Sequence, residues 1–389
     1  MKKIYFLKLF VLITLFSTIC ISCKNNKKEK KQENIFEQSQ NFFSVQGKDT
    51  SLVKNILIVV IDPHADGKKA ALLFEDVANK YNCTVIGLTD VENNQPDFLN
   101  RINKNINGAV SKLNLNVKQL YFAGFSGGAR MAYSYYMTYP QIVNGILMCG
   151  AGLPQNANVN IPVSLIIGTK DPNFSEQYSS PYSPELFKMN QLNLVFEGIH
   201  EWPDKKFLNL GMSFLLSKNP SANYVKNTAF INSAIDELKN TTDKYVYFKA
   251  LEAGFKISNG ETQKKFKAKI DSLIEDENFK KFTTALTESL NSEIQRNQMY
   301  YNLFPSKDFN WWKTEISKIN TKTKSKNVLE ANSFYRTKGF LGMVIYSLTA
   351  KEIQNPQSTM IDKYLQIYEL LEPKNKDMLH FKEIRKNQL

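Results

Sequence analysis

The stretch Ala123-Gly-Phe-Ser126-Gly-Gly-Ala-Arg-Met-Ala-Tyr-Ser-Tyr-Tyr136 decides how the rest of the chain is read. The residues before it, Gln119-Leu-Tyr-Phe-Ala123, form an apolar and aromatic run of the kind that makes a buried strand. The residues after Ser126 start small and then take helical spacing at Met131, Tyr135 and Met137. Gly124-Phe-Ser126-Gly-Gly128 therefore sets Gly-x-Ser-x-Gly at a strand-to-helix turn, the context in which this motif is a nucleophile elbow. A serine hydroxyl is a poor nucleophile until it is exposed, desolvated and given a base. A tight elbow exposes it, and glycines at Gly124 and Gly128 let strand and helix approach closely. The start of the following helix aims its positive end at the turn, where the Gly127 amide is placed to stabilise an oxyanion. The alternative is a glycine-rich turn with an incidental serine.

Outward from that stretch the chain alternates. Strand-like runs are Asn55–Ile61, Thr84–Leu88, Val143–Cys149, Val163–Ile167 and Leu192–Phe196. Helical spacing falls at Lys68–Tyr81, Phe98–Leu113 and Lys205–Leu216. Repeated strand–helix units build a mostly parallel sheet with helices on both faces. Asn219-Pro220-Ser221 breaks the pattern, and seven helical segments follow between Thr228 and Leu371. The expected fold class is α/β, followed by a C-terminal all-α domain. Lys363–Asn375 resembles the second helix and closing proline of a tetratricopeptide repeat, with Ala331–Thr349 as its partner. That likeness implies a protein partner for the helical domain, and a divergent capping domain is the other reading.

The N-terminus is read apart from the fold. Met1-Lys-Lys3 and the short apolar run Ile4–Ile21 form a secretory signal. It ends in Cys20-Ile-Ser22-Cys23, which resembles the lipobox of bacterial lipoproteins. The resemblance implies cleavage before Cys23, lipidation of its thiol, membrane attachment through that lipid and a place in the cell envelope. The domains expected are a signal peptide at 1–22, a polar Lys-rich disordered tether at 23–50, the α/β domain at 51–219 and the helical domain at 220–389. The formal charge of +13 comes from lysines scattered among Asn and Glu, a solvated surface rather than a nucleic-acid site. Cys83 and Cys149 read as two buried thiols, no spacing fits a metal, and no cofactor is expected.

A serine nucleophile needs a base and a group that orients it. Of the three histidines, His380 lies in a charged C-terminal tail, His64 follows the first strand and His200 follows the last. Ser126, then Asp171 in Gly168-Thr-Lys-Asp171-Pro172, then His200 keep the chain order nucleophile, acid, histidine. Here the chain resembles the α/β-hydrolase superfamily. The closer likeness is to small secreted esterases of the polyhydroxybutyrate-depolymerase, feruloyl-esterase and dienelactone-hydrolase type. Gly124–Gly128, Ile166–Asp171 and Gly198-Ile-His200-Glu-Trp202-Pro203 carry it, over Asn55–Lys218.

The resemblance implies Ser126 as nucleophile, His200 as base and then acid, and Asp171 as the orienting carboxylate, acting on an ester-bearing substrate, polymeric where the site is open. A serine peptidase on the same triad, and a degenerate domain that only binds a partner, remain the alternatives. Trp202 either lines the acyl pocket or packs on the closing helix. Where the family often has His-Gly after its first strand here, this chain has Asp62-Pro-His64-Ala65-Asp-Gly67. His64 or Ala65 is then the expected second oxyanion donor. The leading antiparallel strands of the family are expected to be reduced, with Phe42–Val45 the one candidate.

Overall fold

The computed structural model describes residues 35–49, 54–154, 157–183, 189–218, 228–241 and 243–388. The expected signal peptide and Cys23 lie outside them. The strands are β1 (Ile35–Gln38), β2 (Phe42–Gln46), β3 (Ile56–Ile61), β4 (Thr84–Leu88), β5 (Gln119–Phe125), β6 (Val143–Cys149), β7 (Val163–Gly168) and β8 (Gln191–Phe196). They form one sheet in the order β1-β2-β4-β3-β5-β6-β7-β8. The pairs β1–β2 and β2–β4 are antiparallel, and all the others are parallel.

Alternation within β3 shows why the sheet is covered on both sides. Ile56, Ile58 and Val60 enter one apolar layer, and Leu57, Val59 and Ile61 enter the other. Side chains of period two with both faces apolar are what a central parallel strand requires. Helices α1 (Gly67–Leu73), α2 (Glu75–Tyr81) and α6 (Lys205–Ser217) supply the first layer. Helices α3 (Phe98–Lys112) and α4 (Gly127–Thr138) supply the second. Between them in the chain, α5 (Phe174–Gln177) is a single turn after β7.

The C-terminal helices are α7 (Thr228–Asp236), α8 (Lys244–Ile257), α9 (Gly260–Glu275), α10 (Glu277–Leu303), α11 (Phe309–Lys322), α12 (Val328–Glu352), α13 (Ile361–Leu371) and α14 (Lys376–Gln388). Their core does not begin afresh at residue 220. Ile231, Phe248, Leu251, Phe266, Phe279 and Leu290 are continuous with the first layer of the sheet. A separate core forms only further on, around Trp312 with Phe304, Ile316, Leu341 and Tyr368. Helix α10 spans both, with Leu286 in the first and Tyr300 in the second. At about 1.5 Å per residue its 27 residues reach about 40 Å. This is an α/β fold, a mostly parallel sheet with helices on both faces and an added all-α region that shares the sheet's own core.

The structure departs from the sequence reading at four places. The stretch 23–50, expected as a disordered tether with Phe42–Val45 as the one candidate strand, contains both β1 and β2. Phe42, Phe43 and Val45 there are 3%, 6% and 0% exposed, and β2 pairs with β4. A few apolar side chains in a polar, Lys-rich stretch were enough to add antiparallel strands at the sheet edge. The single helix expected over Lys68–Tyr81 is two, because Phe74 leaves helical geometry at φ −96° and ψ 12°. The charged C-terminal tail is helix α14, held by buried Met378 and Phe381 and by an Arg385–Asp362 ion pair. The boundary expected at 219/220 does not separate two cores. Helices α12 and α13 are in contact and have unequal lengths of 25 and 11 residues.

Candidate active site

Strand β5 delivers Ser126 to the C-terminal edge of the sheet, and the backbone there is unusual. Ser126 has φ 50° and ψ −116°. Its N–H donates to the Cys149 carbonyl at 2.8 Å, and its own carbonyl accepts from Arg130 N at 3.2 Å in the first turn of α4. The flanking glycines are needed for space. A Cβ on Gly124 would lie 2.4 Å from the Gly128 carbonyl, and one on Gly128 would lie 2.1 Å from the Ile61 carbonyl oxygen. Gly127 is the first residue of α4, so its N–H has no intrahelical acceptor and points to where the helix dipole is positive.

Ser126, His200 and Asp171 come together from the ends of β5, β8 and β7. His200 Nε2 is 3.0 Å from Ser126 Oγ, and His200 Nδ1 is 2.8 Å from Asp171 Oδ2. With the proton on Nδ1 donated to Asp171, Nε2 is left to accept from the Ser126 hydroxyl; this tautomer is assigned from the bonding pattern. Asp171 is 0% exposed. Its other oxygen accepts the Asn173 amide at 2.9 Å, and the Asn173 side chain donates to the Gly150 carbonyl at 2.8 Å. The imidazole lies against Phe125, with centroids 4.7 Å apart. Gly150, at φ 63°, leaves room for it: a Cβ there would come within 3.2 Å of His200 Cε1. Lys170 N donates to the Gly198 carbonyl at 2.9 Å, so the acid loop and the histidine loop are tied directly.

The loop after β3 is less simple than the sequence implied. The amide of His64 donates to Asp62 Oδ1 at 2.9 Å, and that of Ala65 to the Asp62 carbonyl at 3.2 Å. Both expected oxyanion donors are thus engaged within their own loop. The His64 side chain is exposed, and Ala65 sits at φ 58°. Asp62 Oδ2 accepts the Trp202 indole N–H at 2.8 Å. Trp202 also packs on Phe125 and, edge-on, on Phe74. These contacts join Trp202 to the β3 loop, to Phe74 and to Phe125 beside Ser126, so Asp62 makes it a strut between the β3 loop and the histidine loop.

Glu197 bonds the Thr241 hydroxyl and the Asp243 amide, and so serves the start of α8 rather than His200. Cys83 and Cys149 are free and buried, and burial pushes the Cys83 thiol up to about 12 and the Cys149 thiol up as well.

Several site residues carried no sequence signal. Asp62 contacts Trp202 from 140 positions away. Asn93, in the loop after β4, lies on Gly127: a Cβ on Gly127 would fall 1.8 Å from Asn93 Oδ1. Arg336 reaches the acid loop from the helical region. Only spatial neighbourhood reveals these three.

No family model matches the chain, and no curated protein matches it. Among solved structures, the enterochelin esterase of Shigella flexneri aligns at 13% identity with a TM-score of 0.35, over 47% of this chain and 57% of that one. The chain thus spans little more than half of that protein's length. Est1E from Butyrivibrio proteoclasticus aligns at 11% identity and a TM-score of 0.33, over 47% and 96% of the two chains. A carboxylesterase from Mesorhizobium loti aligns at 15% and 0.33, over 46% and 97%. Similarities of this size carry no argument about chemistry, and the site stands on its own geometry.

The elbow glycines are expected to differ under substitution. Gly128→Ala meets backbone that cannot give way and should lose about 1–3 kcal/mol in a urea titration. Gly127→Ala meets only the end of the Asn93 side chain and should lose less than about 1 kcal/mol. Equal losses at the two positions would contradict this account of the turn.

Proposed function

We propose that this protein is a serine hydrolase that cleaves carboxylic esters through an acyl-enzyme on Ser126. One observation carries the reading. A partly exposed hydroxyl, an imidazole and a buried carboxylate are hydrogen-bonded in series at 3.0 and 2.8 Å, with the serine held at positive φ above a helix start. In this mechanism His200 Nε2 takes the Ser126 proton as Oγ attacks the ester carbonyl. Negative charge then builds on the carbonyl oxygen, which the Gly127 amide and the end of α4 stabilise. Asp171 keeps the Nδ1 proton in place and stabilises the imidazolium. The tetrahedral species collapses, the alcohol leaves with the proton from Nε2, and water hydrolyses the acyl-enzyme by the same route. The second oxyanion donor in this reading is His64 or Ala65, whose amide must first release Asp62.

Labelling with a fluorophosphonate tests the nucleophile. It should vanish in Ser126→Ala and slow by roughly 100- to 10,000-fold in His200→Ala. Hydrolysis of p-nitrophenyl esters should exceed that of the matching p-nitroanilides. Labelling that persists in Ser126→Ala, or faster anilide cleavage, would refute the proposal.

The same proposal puts the enzyme in the cell envelope, anchored by lipid on Cys23. Its support is the sequence Cys20-Ile-Ser22-Cys23 after the apolar run Ile4–Ile21. Two or more acyl chains anchor stably, at about 0.8 kcal/mol per buried methylene, where one binds only marginally. The Cys23→Ser protein should leave the detergent phase yet keep its fluorophosphonate labelling. Retention in the detergent phase like the parent would count against the lipid.

A further inference from the structure

Helix α12 meets the acid loop at several points around Asp171. Arg336 Nη1 donates to the Thr169 carbonyl at 2.6 Å. Its guanidinium lies over the Phe174 ring, 4.8 Å from the centroid. The Tyr335 ring faces Lys170 Nζ at 5.8 Å. A Cβ on Gly339 would come within 3.2 Å of Pro172, so helix and loop are in close contact there too.

The other edge of Arg336 is taken by Glu293 on α10. Nε is 3.0 Å from both carboxylate oxygens, and Nη2 is 2.7 Å from Oε2. Arg336 is 1% exposed and Glu293 2%. A guanidinium is a planar, rigid fork, so once one edge is fixed on a carboxylate the remaining N–H groups have fixed directions. Here Nη1 is aimed at Thr169.

The peptide between Thr169 and Lys170 is thereby clamped on both sides. Its carbonyl is held by Arg336, and its N–H is held by the carbonyl of Gly198, two residues before His200. Asp171 follows directly. The peptide one residue before the catalytic carboxylate is thus fixed from two other parts of the chain, while Asp171's own N–H donates to the Gly168 carbonyl at 3.1 Å.

We propose that Arg336, braced by Glu293, is a positioning residue that fixes the Thr169 carbonyl and so aims Asp171 at His200. The proposal rests on the Ser126–His200–Asp171 reading and extends it: the added helical region becomes a working part of the site.

The test compares the full-length protein with Arg336→Lys, Arg336→Met and the paired Arg336→Met/Glu293→Leu. Lys keeps the charge but lacks the fork, and the apolar pair removes both charges, which a buried site tolerates. Two readouts are taken on protein shown to be folded by its thermal melt. One is the fluorophosphonate labelling rate. The other is the low-field proton NMR signal of His200 Nδ1–H, assigned by its absence in His200→Ala.

Labelling should slow about 10- to 100-fold in both the Lys variant and the apolar pair, the penalty of a misplaced catalytic group. The low-field signal should broaden or vanish in both while remaining in Ser126→Ala. A folded Lys variant or apolar pair with wild-type labelling and an intact signal overturns the proposal. If Arg336→Met unfolds alone, the pair decides, and if the pair unfolds, the Lys variant decides. Failure of the hydrolase reading looks different: the wild type is not labelled, and the NMR signal then decides the positioning role alone.

Discussion

A positive φ at Ser126 is the constraint around which the rest of the site is arranged. A non-glycine residue held in a sparsely populated conformation costs about 1–3 kcal/mol. The surroundings offset it: a hydrogen bond to Cys149, one from Arg130, and glycine contacts too close for any side chain. The strain has a direction. It turns the hydroxyl out of the sheet toward His200 and leaves the Gly127 amide at the start of α4. A relaxed serine in a longer turn would lose both placements.

The acid side of the site depends on a different kind of contact. Arg336 and Glu293 are buried charges, and a buried ion pair contributes little net stability over a well-packed apolar pair. Losing one partner alone is different, since an uncompensated buried charge costs about 3–5 kcal/mol. Stability therefore gives no reason to prefer this pair over leucine and methionine. Geometry does: the fork braced on Glu293 also reaches the Thr169 carbonyl. The shared core between the sheet and Ile231–Leu290 fits the same picture, since a helical region that orients a loop must be rigidly attached to it.

What was legible in the sequence is what local pattern encodes. The β-branched run Ile56–Ile61 and the Gly-x-Ser-x-Gly turn fixed the parallel strands and the elbow, and chain order singled out His200 over His64 and His380. Strand β1 carried no sequence signal in a polar stretch, and β2 was visible only as the short candidate Phe42–Val45, whose burial comes from pairing with β4. The extent of the core was not legible either, because helices packed on a sheet and helices packed on one another share one periodicity. Asp62, Asn93 and Arg336 act across long sequence separations, and nothing near them in the chain distinguishes them from ordinary polar residues. The His64–Ala65 expectation concerned backbone amides, which only three-dimensional geometry assigns, and here they are turned onto Asp62.

The most direct test of the central claim is a crystal structure of the protein after reaction with a fluorophosphonate. The account predicts phosphorus bonded to Ser126 Oγ, Ser126 still at positive φ, and the phosphoryl oxygen about 2.7–3.1 Å from the Gly127 amide nitrogen. An unmodified Ser126, or an adduct whose oxygen points away from Gly127 with the serine relaxed to negative φ, would contradict it.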